Sequence, residues 1–300
     1  MPLLSFFLLC FCWGSTFIPL KEGLGSLSPL LFAGLRFVLA GSIFGLVLWA
    51  KNSGQNPLAG RHLFRLMGAA SLTIALNYGL LFWGAQFLPS GISGLVDFGA
   101  VALSLTGSSL LLKLEKPSWN KLVGLSFGLS GLLLLVLPKL GADKEQLLGI
   151  GAIALGGVCY GFGSLLIRPL IRRCGVLSVT SIQMLFGGSI LLFASGATPA
   201  ELSALQEPRV LLSLAYLIAV GLLLGFWLYN RLLSSWEVSR LALYNFVSPV
   251  IALVLGILIY HEKFSLVEAL ASGCLLMGVL VNYLGIPKTT AYLTRGSRRD

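Results

Sequence analysis

Charge is scarce in this sequence, and the scarcity decides its class. Of 300 residues only 11% are Asp, Glu, Lys or Arg, while 56% are hydrophobic and the mean hydropathy is +0.91. A soluble domain covers its surface with about 25% charged residues, so this chain is not built to face water. Histidine is nearly absent: His62 and His261 stand far apart, which excludes a His-rich metal site. No GxxxxGK[ST] string and no GxSxG string occurs, and no polar segment is long enough for a soluble module. An ATP-hydrolysing domain and a serine-hydrolase site are thereby excluded. Cysteine is limited to Cys10, Cys12, Cys159, Cys174 and Cys274, mostly inside apolar runs and without metal-ligand spacing, so these residues read as small hydrophobes. No metal and no cofactor is expected.

The remainder is apolar runs of membrane-spanning length, since about 20 residues cross roughly 30 Å of hydrocarbon. Breaks of charge, Pro and Gly divide the chain into ten expected helices: 2–20, 30–50, 66–87, 92–112, 120–138, 149–167, 177–196, 210–230, 241–260 and 267–285. The first run lacks a basic n-region, and Leu9 before Cys10 spoils a lipoprotein-type cleavage site, so it is expected to remain as a helix. The net charge of +10 lies in the short breaks between runs, not in a groove with interleaved aromatics, so no nucleic-acid partner is expected. Alternate connections differ in charge. Of 21 Lys and Arg, fifteen fall in one set of connections and the C-terminal tail, five in the other set, and Arg36 lies inside a helix. Basic connections stay in the cytoplasm, which puts both termini there.

The chain also repeats itself. KLEKPS at 113–118 and YHEKFS at 260–265 share Glu-Lys-x-Ser, and the offset of 147 that joins Glu115 to Glu262 also pairs Cys12 and Gly14 with Cys159 and Gly161. It further pairs the run 41–43 with 188–190, and Gly131 with Gly278. Two copies of five helices each must enter the membrane in opposite senses, because five is odd. The expected fold is thus an all-α integral membrane protein of ten transmembrane helices in two inverted five-helix repeats, over 1–141 and 142–287, with a basic cytoplasmic tail at 288–300. Inverted repeats permit alternating access to a midplane site. Glu115 and Glu262 read as solvated charges at helix ends rather than as site residues.

WGSTFIPLK at 13–21, Pro29 followed by LRFVLAG at 35–41, and a Glu-plus-Ser ending after each half's fourth helix resemble the drug/metabolite transporter superfamily, EamA type, over essentially the whole chain. The resemblance implies a secondary transporter of small metabolites, often amino acids moved outward, with a cavity lined by the first four helices of each half. The family's Pro-Val pair in the fourth helix is kept as Pro249-Val250, which makes Pro249 a candidate hinge, but Ala102 takes the proline's place in the first half.

Two charges fall deep inside expected helices, away from their ends. Arg36 and Asp97 follow Pro29 and Pro89 by seven and eight residues, about 10–12 Å below the outer surface at ~1.5 Å per residue. Charges inside a membrane face a cavity or one another. Arg36 is a candidate for a substrate carboxylate or phosphate, and Asp97 for an amine or a coupling proton. A structural ion pair between them is the alternative. The other candidate substrate residues are Trp13, Thr16, Asn77, Tyr78, Tyr160, Gln183, Tyr244 and Asn245, whereas Trp83, Trp227 and Tyr229 read as interfacial anchors. The expected cargo is an amino-acid-like zwitterion. Organic cations and drugs, nucleosides and sugar derivatives are the alternatives, and a lipid-scrambling protein is a different class of answer. The expected partners are the bilayer, the small-molecule cargo and protons as coupling ion, in a monomer or weak homodimer in the plasma membrane, which is the inner membrane in a bacterium.

Overall fold

A computed structural model describes residues 2–51, 60–112, 118–136, 144–236, 241, 244–261 and 265–284. Glu115, Glu262 and the tail at 288–300 lie outside the described residues. Among the described residues the chain is helical throughout, with no strand. Only helices and closed barrels satisfy their own backbone in lipid.

The first half contains α1 (Pro2–Gly14), α2 (Phe17–Leu24), α3 (Pro29–Ala50), α4 (Arg61–Ala70), α5 (Asn77–Ala85), α6 (Ser90–Leu111) and α7 (Trp119–Val136). The second contains α8 (Lys144–Cys174), α9 (Val176–Ser195), a short α10 (Pro199–Ser203), α11 (Pro208–Tyr216), α12 (Trp227–Ser235), α13 (Tyr244–Tyr260) and α14 (Leu266–Leu284). Seven continuous stretches are long and apolar enough to cross a membrane: Leu3–Leu24, Pro29–Ala50, Arg61–Ala85, Ser90–Ser108, Lys144–Cys174, Val176–Ser195 and Pro208–Ser235. The apolar stretches of α7, α13 and α14 are shorter, at Leu122–Gly131, Val247–Tyr260 and Ala269–Gly278.

Large apolar side chains stand on the outside, among them Phe193, Trp49, Phe64 and Leu266. Such a surface is unstable in water and suits lipid. The first span is not one straight helix. It breaks at Ser15 and Thr16, where Pro19 withdraws the N–H that would close on Ser15 and the two hydroxyls turn back to Phe11 O at 2.7 Å and Trp13 O at 2.6 Å. α13 runs on through Pro249, and the neighbouring Ser248 Oγ reaches across to Cys10 O at 3.1 Å.

Two helices carry π-helical stretches, Ser71–Leu76 between α4 and α5 and Leu217–Phe226 between α11 and α12. The 147-residue offset carries the first inside the second. Helix pairs follow the same exchange. α3 packs on its mate α9, α7 packs on its mate α14, and α6 against α8 is matched by α13 against α1.

Small residues let these helices touch backbone to backbone. A Cβ on Gly84 would lie 2.6 Å from Gly149 O and 2.8 Å from Ile153 Cγ1, whereas one on Gly107 would meet nothing within 4 Å. Gly84→Val is therefore expected to cost about 1–3 kcal/mol by overpacking, read as an earlier thermal transition in detergent, with Gly107→Ala close to wild type.

Candidate functional site

A cavity of about 540 Å³ lies where α1, α2, α3, α5, α6, α8, α13 and the second π stretch converge. Eight of the ten candidate residues line it: Trp13, Thr16, Arg36, Asn77, Tyr78, Asp97, Tyr160 and Tyr244. The other two do not. Gln183 is buried behind it and donates to Thr73 Oγ1 at 2.8 Å, and Asn245 borders a separate crevice of about 300 Å³ with Pro249 and Ser272. Periodicity places a residue on a helix at a certain depth, but only packing says which side of the helix meets the cavity.

Arg36 is 3% exposed, and its guanidinium carbon lies 4.8 Å from the Phe37 ring, 4.8 Å from Tyr78 and 4.4 Å from Phe82. Three ring faces thus do what water would do for a cation. The guanidinium's hydrogen-bonding capacity remains open, since Nε and Nη2 have no partner. Asp97 is within electrostatic reach of Arg36, yet its Oδ1 has no hydrogen-bond partner either. Asn77 adjoins Asp97, and its Nδ2 completes no hydrogen bond of full geometry. Asn77 is the first residue after the π stretch of its helix.

The opposite wall is aromatic. Trp13 lies 6.3 Å from Tyr160, 4.9 Å from Tyr244, 5.0 Å from Tyr229 and 5.7 Å from Phe226, and its Nε1 donates to Gly221 O at 3.0 Å. That carbonyl belongs to the second π stretch, where widened turns leave carbonyls open to other donors. The Tyr160 hydroxyl approaches that of Tyr229 without hydrogen-bonding geometry.

Tyr229 corrects the sequence reading. It is not an interfacial anchor: it is 2% exposed, stacked among these rings, with its hydroxyl donating to Ser164 Oγ at 3.0 Å. Phe82, Phe98 and Phe17 also line the cavity unforeseen. One signal was available, because the 147 offset sets Tyr229 opposite Phe82. Among the described residues no group of His, Cys, Asp and Glu could hold a metal ion.

A cavity between two sets of exchanged helices, charged on one wall and aromatic on the other, accords with a comparison to known families. A model of the EamA-like transporter family matches residues 1–137 and again 147–284. The chain belongs to the EamA-like transporter family.

Relatives of this transporter span its length. The Escherichia coli K12 protein named "Uncharacterized inner membrane transporter YedA" is 29% identical over 283 residues, 94% of this chain and 90% of that protein. The Chlamydia muridarum protein named "S-adenosylmethionine/S-adenosylhomocysteine transporter" is 30% identical over 294 residues, 94% and 92% of the two chains. One crystal structure superposes with a TM-score of 0.69 at 18% identity, covering 94% of this chain and 97% of its own, which shows a shared fold. The transporter is a multi-pass membrane protein of the inner, or plasma, membrane.

Gln183 and Thr73 in this transporter test the border of the site. Thr73→Val strands a buried amide and is expected to cost about 1–3 kcal/mol of stability, seen in detergent melting, with cargo affinity unchanged in a binding assay.

Proposed function

We propose that this EamA-like transporter is a secondary active exporter of small amino-acid-like zwitterions, working by alternating access and not by chemical transformation. One observation carries the reading. Buried polar atoms in native proteins nearly always have partners, yet Arg36 Nε and Nη2, Asn77 Nδ2, Asp97 Oδ1 and Tyr160 OH lack them and belong to residues that border one cavity. A zwitterion answers these groups: its carboxylate suits the guanidinium and the Asn77 amide N–H, and its ammonium suits Asp97. The aromatic wall of Trp13, Tyr160 and Tyr244 takes the side chain or stacks a flat group. The relative named for S-adenosylmethionine fits the same chemistry, since that compound is an amino acid with a flat base and a sulfonium charge.

Ten membrane crossings in two inverted halves, with both termini in the cytoplasm, complete the proposal. The double family match, the exchanged helix pairs and the two π stretches in register support it. Pro249 lies in a helix that borders the cavity through Tyr244, which suits a hinge. Protons are the candidate coupling ion, with Asp97 as their carrier.

The rival cargo is an organic cation, which Asp97 and the rings would also accommodate. Uptake into proteoliposomes of labelled amino acids, S-adenosylmethionine, nucleosides and organic cations tests the choice. Saturable zwitterion uptake that falls at least about tenfold in both Arg36→Gln and Asp97→Asn is expected, since losing one charge-assisted pair costs 1.5–3 kcal/mol. Uptake of cations alone, or normal transport by both variants, overturns the reading.

A further inference from the structure

We infer that Tyr160 is the outer gate of this transporter, closing by donating its hydroxyl to Asp97 in the conformation open to the cytoplasm. The inference rests on the inverted-repeat reading above, and it starts from an asymmetry between the two ends of the cavity.

On the cytoplasmic side the cavity stops at rings. Trp13, from the first half, lies against Phe226, Tyr229 and Tyr244 of the second, and its indole N–H is held by Gly221 O. Farther in, Arg168 Nη2 donates to Trp236 O at 2.8 Å and Arg172 Nε to Ser234 O at 2.9 Å, tying α8 to the end of α12. On the outer side the cavity adjoins a smaller one of about 180 Å³, which shares Phe17 and Leu20 as walls and is bordered by Lys21, Leu88, Ser90 and Ser93. Among the described residues, rings therefore bound the cavity on the inner side and a further crevice adjoins it on the outer side.

The 147 offset says what the reverse arrangement contains. Trp13 corresponds to Tyr160, Tyr229 to Phe82, and Tyr244 to Asp97. In this conformation the second-half members of these pairs are packed on Trp13, while Phe82 and Asp97 border the cavity and Tyr160 OH has no partner. Exchanging the conformations of the two halves sets the Tyr160 ring against Phe82 and the Asp97 carboxyl group, with Ile74 O, the mate of Gly221 O, as a second acceptor near its hydroxyl. The ring contact that Trp13 makes with Tyr244 becomes a hydrogen bond from the hydroxyl to the Asp97 carboxyl group. Gate and cargo then share one carboxylate. After cargo has left outward and Asp97 has taken up the coupling proton, Tyr160 donates to the oxygen that the ammonium has vacated, and the carrier returns with its proton.

Tyr160→Phe isolates this role, because the hydroxyl completes no hydrogen bond of full geometry here and the ring keeps its contacts with Trp13 and Tyr229. Trp13→Phe is the opposite case, losing the N–H that holds the inner seal. The test needs no cargo. Two isosteric reporters are introduced separately: Ser93→Cys, bordering the outer cavity, and Ser164→Cys, behind the inner rings. Each is labelled with a membrane-impermeant maleimide from its own side in oriented proteoliposomes, above the background of the native cysteines. Tyr160→Phe is expected to raise Ser93→Cys labelling and lower Ser164→Cys labelling, shifting their ratio roughly fivefold, the worth of one hydrogen bond. Trp13→Phe is expected to do the reverse. Reciprocal reporters that Tyr160→Phe does not displace, or that both variants displace in the same direction, overturn the gate and leave alternating access standing. Reporters that rise and fall together overturn both.

Discussion

A cation and a carboxylate held inside a hydrocarbon slab are the constraint on which the rest depends. Neither Arg36 nor Asp97 can face lipid, since either would cost at least about 2.5–3.5 kcal/mol there. The fold answers by wrapping Arg36 in three aromatic faces and setting Asp97 across the same cavity. It leaves their hydrogen-bonding atoms open. A chain selected only for stability would have paired them atom to atom. The open valences are what support reading the cavity as a site.

The helices that form the cavity are irregular where they border it. α1 ends at Gly14 and α2 begins at Phe17, with Thr16 between them on the cavity wall. The first π stretch ends just before Asn77, and the second supplies Gly221 and Leu222 to the wall and a carbonyl to Trp13. Regular helices would present only side chains to the cavity and would slide past one another as rods. π turns expose backbone acceptors and lower the cost of local rearrangement, which is why such turns gather at functional sites. Away from the cavity the helices approach closely, as glycine contacts such as Gly84 on Gly149 show. Rigid packing at the periphery and irregular turns at the centre suit a carrier whose halves exchange conformations as bodies.

Much of this was legible in the sequence, and the parts that were not share a cause. Arg36 and Asp97 announced themselves because a charge in an apolar run has few places to go. Trp13, Tyr160 and Tyr244 were found by depth and by the 147 offset. The same offset makes Gln183 the mate of Arg36, but Gln183 is committed to Thr73, because pseudo-symmetry preserves helix position and not side-chain chemistry. Tyr229 was misread as an anchor, since its distance along the helix placed it near an interface while its direction pointed it at Trp13. The π stretches have no signature in apolar sequence, because Ser71–Leu76 and Leu217–Phe226 are composed of ordinary helix residues.

The sequence by itself determined the solvent, the helical class and the duplication, because each follows from composition and spacing summed over many residues. Lipid leaves a chain of this hydropathy no other regular backbone, and an offset held over 147 residues survives any local distortion. Only the tertiary structure decided which face of each helix meets the cavity, that Arg36 is wrapped by rings without an atom-to-atom pair to Asp97, and that the rings of the second half gather on Trp13. Those are matters of rotation and of one conformation over another. A rotation of one residue turns a helix face by about 100°, and two conformations of one chain share every residue.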